Sequence, residues 1–406
     1  MLAARSLIDF IPDDTPELRA WRAEVRGFLD QEWPDDGFRW DYDYNENDDD
    51  WARGLSFWRK MGAKRWVALT WPEQYYGRGR SAIEKWILYE EICRRDAPAY
   101  PAIGLLVAGH ILRLGTHEQR LKHLKGIAEA TTVWGEGFTE PGAGSDLAML
   151  TSRAHRDGDA WVLNGQKTFG TAVHRCQWMC VLARTDPEAK AHSGISCFLV
   201  PLDSKGISMT PLHNLAGGQQ NHTFFDNVRL PADSLLGEAN KAWTQVWFRM
   251  GGERLDRGGP YLADWIYRPL TLLNRVVRYC KETQRDGRPL SEDPIIRHKL
   301  AEALLGAEGA RMLWYENFGR FASKTPSPFG EAAANLDAAV YKEYWPALLQ
   351  NLMEIVGPMA QIQGGRWARL AGDVQYFYRA SFGNHAGGTS QLKRMVLATR
   401  GLDLPR

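Results

Sequence analysis

Residues 139–146 read Thr-Glu-Pro-Gly-Ala-Gly-Ser-Asp, at a point where one hydrophobic pattern gives way to another. Gly142 and Gly144 carry no Cβ, so the chain there can take turns closed to other residues and can approach a flat ligand closely. Backbone N–H groups and a small hydroxyl such as that of Thr139 are then free to hydrogen-bond a polar, electron-poor ring edge. The same octapeptide also reads as a plain glycine turn between helix and sheet. Alone it does not separate the two readings.

Upstream of it the pattern is helical. In Thr15-Pro16-Glu17, threonine suits the cap and proline the first helical position. Leu18, Trp21, Val25, Phe28 and Leu29 then fall on one face. The stretch 41–50 is acidic and reads as a solvated loop. Ser81 and Glu84 form a capping-box pattern before Trp86, Ile87 and Ile92, and a further helix covers about 103–114, with Gly115 suited to its end.

Downstream, from about Val133 to Leu230, short β-rich runs alternate with turn residues. Asp157-Gly158-Asp159 and Asn164-Gly165 are hairpin signals flanking Ala-Trp-Val-Leu, and apolar runs follow at 178–182, 195–202 and 222–228. After Gly237 the helical period returns, with helices expected near 243–283, 291–323, 332–356, 361–380 and 389–399. The pattern predicts an α+β, mainly α chain. An N-terminal helical domain covers 1–132, a middle antiparallel sandwich or barrel 133–241, and a C-terminal helical bundle 242–406.

Composition narrows the function. Apolar residues at 44% and charged residues at 24% are the balance of an ordinary globular protein. A net charge of +1, without a basic run interleaved with aromatics, gives no reason to expect nucleic acid. No apolar stretch approaches the roughly 20 residues that span a bilayer. The first residues turn acidic before a secretory signal can form. Five scattered cysteines argue for reduced thiols and a cytoplasmic location. Cys176 and Cys180 would share a strand face, but no Cys/His pair with metal spacing follows, so no metal site is expected. The seventeen tryptophans read as core or interface anchors.

Three ordered blocks, 115–154, 157–178 and 387–406, resemble the acyl-CoA dehydrogenase family. The first contains Thr139 to Asp146; the second contains Asn-Gly-Gln-Lys-Thr-Phe-Gly-Thr, residues 164–171; the third opens Gly-Gly-Thr-Ser-Gln. The resemblance implies a helical–β–helical fold with FAD as cofactor and an acyl-CoA thioester as substrate. It places Phe138, Thr139 and Gly144 beside the flavin, Phe169 where an aromatic packs on the ring, and Thr171 where a hydroxyl reaches toward N5. Thr389 and Gln391 stand where residues hold the dinucleotide, and Ser145 where CoA is contacted. The bland alternatives are a buried core aromatic for Phe169 and helix-start capping for Thr389 and Gln391.

Desaturating an acyl thioester needs a carboxylate to remove the α-proton from a water-poor pocket while hydride leaves to the flavin. In many family members this glutamate directly precedes the Gly-Thr of the third block, where the present chain has Gly387. Other branches carry the base early in the C-terminal domain, directly before an arginine. Glu253-Arg254 matches that place: Glu253 as general base, Arg254 positioning the base or CoA. A surface ion pair is the alternative. The Gly387 N–H remains available to polarise the thioester carbonyl. His385, two residues away, competes for a catalytic role of the kind flavin monooxygenases on this fold would use.

Other positions depart from the family pattern. Its Arg-x-x-Phe-Gly segment is replaced by residues 284–290, leaving Arg285 or Arg288 for the FAD pyrophosphate; its Gln-x-x-Gly-Gly element appears as residues 354–358; and Glu136 stands near the flavin in place of a neutral or aromatic residue. The leading expectation is α,β-dehydrogenation of an acyl-CoA, with room near Gly387 for a branched or bulky acyl group. An electron-transferring flavoprotein would be the reoxidant, and the chain would act as a homo-oligomer or beside a related chain. A flavin oxygenase or oxidase, and a non-catalytic subunit of a hetero-oligomer, are the alternatives.

Overall fold

A computed structural model describes residues 15–34, 45–247, 259–322, 332–382 and 387–405. Glu253, Arg254 and His385 lie outside the described residues. The chain divides into two compact units, one of residues 1–39, 82–97 and 259–406, the other of residues 40–81 and 98–258.

The first unit is helical. α1 (Pro16–Glu32) starts where the sequence predicts, with Thr15 Oγ1 accepting from the Leu18 N–H at 3.3 Å and Trp21, Val25, Phe28 and Leu29 buried. It packs on α3 (Ala82–Arg94), and α3 in turn on α6 (Gly259–Glu282). α7 (Pro294–Ala322), α8 (Ala333–Val356), α9 (Asp373–Ser381) and α10 (Ser390–Val396) complete the bundle. Arg22 reaches the buried Glu90 at 3.0 Å and Glu91 at 2.5 Å, and Arg94 holds Glu90 from one turn on. These contacts pair charges that burial would otherwise penalise heavily. Trp86 lies against Trp314 and Phe318, with ring centroids 4.9 and 5.4 Å away.

The second unit joins α2 (Asp48–Ala63), α4 (Ala102–Leu114) and α5 (His117–Ala128) to a sheet. Its strands are β1 (Trp134–Gly137), β2 (Arg153–Asp157), β3 (Ala160–Thr171), β4 (Trp178–Arg184), β5 (Ile195–Pro201), β6 (Ile207–Leu212), β7 (Gln220–Pro231) and β8 (Leu235–Leu236). They run in the order β6-β7-β3-β2-β4-β5-β8, with β1 added on β4. Most pairings are antiparallel, but β1 and β2 both meet β4 in parallel. The alternating inward side chains Trp161, Leu163, Met179, Val181, Phe198, Val200, Val228 and Leu230 form one core cluster. Trp134 stacks on Trp178, while His123 stands edge-on to both.

Three local expectations change. The acidic stretch 41–50 is not all loop: Asn47 caps α2, so Asp48, Asp49 and Asp50 form its first turn, where the helix dipole favours carboxylates. Asn164-Gly165 is a bulge within the continuous β3 rather than a hairpin turn. Gly165 has φ +145°, and a Cβ there would lie 2.3 Å from Ser152 Oγ, so close packing requires the glycine. The helix expected over 361–380 shortens to α9; glycines 365 and 372, with φ of +80° and +86°, break the chain before it.

Candidate active site

The second unit gathers Phe138, Thr139, Gly144, Ser145, Phe169 and Thr171 on two connected segments. β1 delivers Phe138 and Thr139 into a turn closed reciprocally by Glu140 N–H to Ala143 O and Ala143 N–H to Glu140 O, each 3.1 Å. β3 passes alongside, and the Thr168 N–H donates to Thr139 O at 2.9 Å. Gly142 and Gly144 have no positive φ, and a Cβ on either would meet nothing within 4 Å among the described residues. Protein crowding therefore does not demand these two glycines, and the space above them is open. Ser145 is exposed.

A register break between Lys167 and Gly170 puts Phe169 on a bulge. Its φ is +60°, a left-handed conformation that is unusual for a bulky side chain, and its ring is 54% exposed. This excludes the core reading: the backbone turns Phe169 outward. Thr171 is also exposed and accepts from Gln220 Nε2 at 3.4 Å. Asn221 Nδ2 donates to Gly170 O at 3.2 Å and to His174 Nδ1 at 3.1 Å, leaving His174 Nε2 to donate to Asn45 O at 3.0 Å. The end of β3 is thereby anchored.

Beneath both segments lies a pair that composition and spacing did not single out. Lys167 Nζ is 2.7 Å from Glu140 Oε1 and 3.2 Å from Phe138 O. The Glu140 carboxylate also accepts from Thr151 N, Thr151 Oγ1 and Ser152 N, at 2.6, 2.8 and 2.9 Å. Burial opposes ionisation of Glu140, but the Lys167 ammonium and these donors outweigh it and hold the carboxyl down at about 2. Complete burial pushes Lys167 down to about 8 against the pull of Glu140, so both groups are charged at neutral pH. The nearby Thr168 Oγ1 is buried and has no hydrogen-bond partner among the described residues.

The first unit carries the remaining candidates. Gly387 is exposed with φ +72°, and Gly388 follows at +101°. Thr389 caps α10, accepting from Leu392 N at 3.2 Å; Gln391 is exposed on that helix. Arg285 lies on a two-strand ribbon, Gln284–Arg285 against Arg288–Pro289, turning through Asp286 and Gly287 at φ +51° and +77°. It is exposed and 3.7 Å from Asp293. Glu354 pairs with Lys299.

Descriptions of the acyl-CoA dehydrogenase N-terminal, middle and C-terminal domains match residues 15–131, 135–228 and 263–402. The chain belongs to the acyl-CoA dehydrogenase family. Among its relatives, acyl-CoA dehydrogenase FadE26 of Mycobacterium tuberculosis (strain ATCC 25618 / H37Rv) is 33% identical, over 86% of this chain and 87% of that one. Acyl-CoA dehydrogenase IpdE1 of the same strain is 31% identical, over 86% and 87%. A solved structure named the Tcur3481-Tcur3483 steroid ACAD superposes with a TM-score of 0.86 at 30% identity, covering 97% of this chain and 99% of that one. The ChsE4-ChsE5 complex from Mycobacterium tuberculosis gives 0.83 at 29%, covering 98% and 99%. This acyl-CoA dehydrogenase is thus an oxidoreductase whose family chemistry depends on a flavin. Among the described residues no helix is long and apolar enough to cross a membrane, and no cluster of metal-binding side chains occurs.

Proposed function

We propose that this chain binds FAD and desaturates the α,β-bond of an acyl-CoA with a bulky acyl group. The observation carrying this reading is the outward-turned Phe169 beside the Thr139 turn. An exposed aromatic, an open space over two glycines and a buried partnerless hydroxyl at Thr168 together suit a flat, polar-edged ring. When bound, the flavin supplies the hydride acceptor. Phe138, Thr139, Gly144, Phe169 and Thr171 would hold the ring. Arg285, Thr389 and Gln391 would serve the dinucleotide, and Ser145 the CoA.

Glu253 would take the α-proton, with Arg254 fixing its orientation, and the Gly387 N–H would donate to the thioester carbonyl as negative charge develops there. Two electrons and two protons leave the substrate in each turnover; the electrons would pass to an electron-transferring flavoprotein. Two similar structures have paired chain names, which supports assembly with a related chain rather than a copy of itself. The steroid named in the first supports a large substrate, as does the missing side chain at Gly387. Functional domains over 1–132, 133–241 and 242–406, and a cytoplasmic setting for five free cysteines, complete the proposal.

The deciding experiment is anaerobic mixing of the flavin-loaded protein, alone and with its related chain, with linear, branched and ring-bearing acyl-CoAs. Bleaching by the bulky thioesters, abolished in Glu253→Gln while flavin is retained, is the expected result. Unimpaired bleaching in Glu253→Gln would remove that residue from the mechanism. Rapid oxygen use without bleaching would favour oxygenase chemistry.

A further inference from the structure

β4 ends on Arg184, whose half-buried guanidinium is spent on main-chain carbonyls. Nη2 donates to Ala148 O at 2.8 Å and to Ala191 O at 3.1 Å, and Nη1 donates to Ser193 O at 3.1 Å. Ala191 and Ser193 lie in the loop between β4 and β5, whereas Ala148 belongs to the short turn Leu147–Met149 that follows Ser145. One side chain therefore joins two segments that the chain itself does not connect. Among the described residues Arg184 makes no ion pair, so bridging carbonyls is what its planar fork does here.

The two ends of this brace differ in stiffness. On the loop side the backbone is fixed: Thr185 N donates to Gly194 O at 2.8 Å and Glu188 N to Asp186 Oδ1 at 3.1 Å. Gly194 has φ +74°, and a Cβ there would lie 2.5 Å from Asp186 O, so only glycine closes this loop. The Arg184 N–H in turn donates to Ser152 O at 2.8 Å. On the other side, Gly144, Ser145 and Asp146 are exposed, between the Glu140–Ala143 turn and the carboxylate contacts at Thr151 and Ser152. Met149 N to Asp146 O and Leu150 N to Leu147 O, each 3.2 Å, stay within this segment. Leu147, Ala148 and Leu150 are buried, but apolar burial is non-directional. The Arg184 bond to Ala148 O supplies the direction that burial lacks.

We propose that Arg184 is a positioning residue for acyl-CoA binding: by bracing Ala148 against a rigid loop, it sets where Ser145 meets the CoA arm. It acts through Ser145 and not on the reacting atoms. The inference deepens the desaturase reading above and rests on its assignment of Ser145.

The test uses the flavin-loaded full-length enzyme as wild type, Arg184→Lys, Arg184→Gln, Ser145→Ala and Arg184→Lys/Ser145→Ala. Hydrogen exchange followed by mass spectrometry reads the brace alone. In Arg184→Lys, which keeps the charge but loses the fork, the Met149 and Leu150 amides should exchange about tenfold faster, the order expected for losing one hydrogen bond. Those of β1 and β3 should keep their protection. Anaerobic bleaching by a ring-bearing acyl-CoA then reads the consequence. The concentration giving half-maximal rate should rise about tenfold in Arg184→Lys and Arg184→Gln, while the limiting rate and flavin affinity stay within about twofold. Ser145→Ala should raise it in the wild type and add little in Arg184→Lys, since residues acting through one contact are not additive. Unchanged exchange at Met149 and Leu150, fully additive effects, or a fallen limiting rate with flavin loss would each overturn the proposal, the last by making Arg184 a general structural residue. A wild type that no acyl-CoA bleaches would fault the desaturase reading instead, because the exchange data stand apart from turnover.

Discussion

The ammonium of Lys167 and the carboxylate of Glu140 lie 2.7 Å apart with side-chain exposures of 1% and 4%. Their contact joins the turn after β1 to the bulge of β3. The turn holds Phe138 and Thr139 and the bulge holds Phe169, so one buried pair sets the spacing of both segments proposed to face the flavin. Every Glu140 oxygen is hydrogen-bonded, which is the condition under which a buried pair is tolerated.

Lys167→Met should therefore destabilise the protein by about 3–5 kcal/mol, because it leaves a buried carboxylate without its counter-ion. Glu140→Gln/Lys167→Met removes both charges and should recover much of that loss. Urea denaturation of the two variants checks this. A double variant as unstable as the single one would mean that shape, not charge, makes the contact. The double variant should still bind flavin more weakly, since the turn and the bulge are no longer clamped together.

Acid should act through the same pair. The folded-state pKa of Glu140, about 2, is below its ordinary value of 4.5, so its contribution to stability is complete above 4.5 and is lost as pH falls through about 2. Unfolding free energy measured between pH 6 and pH 2.5 should decline more steeply in the wild type than in the double variant. Parallel curves would show that other carboxylates carry the acid sensitivity.

The order helical, β, helical was legible because periods of 3.6 and 2 persist over many residues, and Thr15 and Pro16 marked the start of α1 by local chemistry alone. Residues 139–146 showed an open, glycine-bearing turn for the same reason: the missing Cβ atoms are a property of the residues themselves. What the chain hid was set by partners distant in sequence. Gly165 is required by Ser152 across a strand pair, so a local hairpin signal became a bulge. Glu140 and Lys167 are 27 residues apart and no periodicity links them. The outward turn of Phe169 follows from a register break between β3 and β7, which depends on both strands.

Phe169 separates a packing residue from a ligand-facing one by experiment. A buried phenylalanine truncated to a small residue loses about 3–5 kcal/mol. Phe169 is half-exposed and strained at φ +60°, so Phe169→Gly releases strain as it loses contacts. The expected change in stability of the flavin-free protein is within about 1 kcal/mol, closer to that of an ordinary surface substitution. Flavin affinity, measured by equilibrium dialysis, should fall clearly. A large loss of stability with flavin affinity intact would return Phe169 to a packing role.

Gly387 sets the last prediction, because it is proposed to occupy the place where many family members carry their base. Restoring glutamate there looks like a simple repair, and nothing among the described residues lies within 4 Å of where a Cβ would be. The obstacle is the backbone: at φ +72° an L-residue pays about 1–2 kcal/mol that glycine does not. Gly388 follows at +101°, so two consecutive residues hold positive φ before α10. Gly387→Glu should lower stability by about that amount and should not rescue substrate reduction in a Glu253→Gln background. Anaerobic flavin bleaching in the double variant checks this. Recovery of bleaching would mean that the turn can take a right-handed form and that the base was relocated without a conformational barrier.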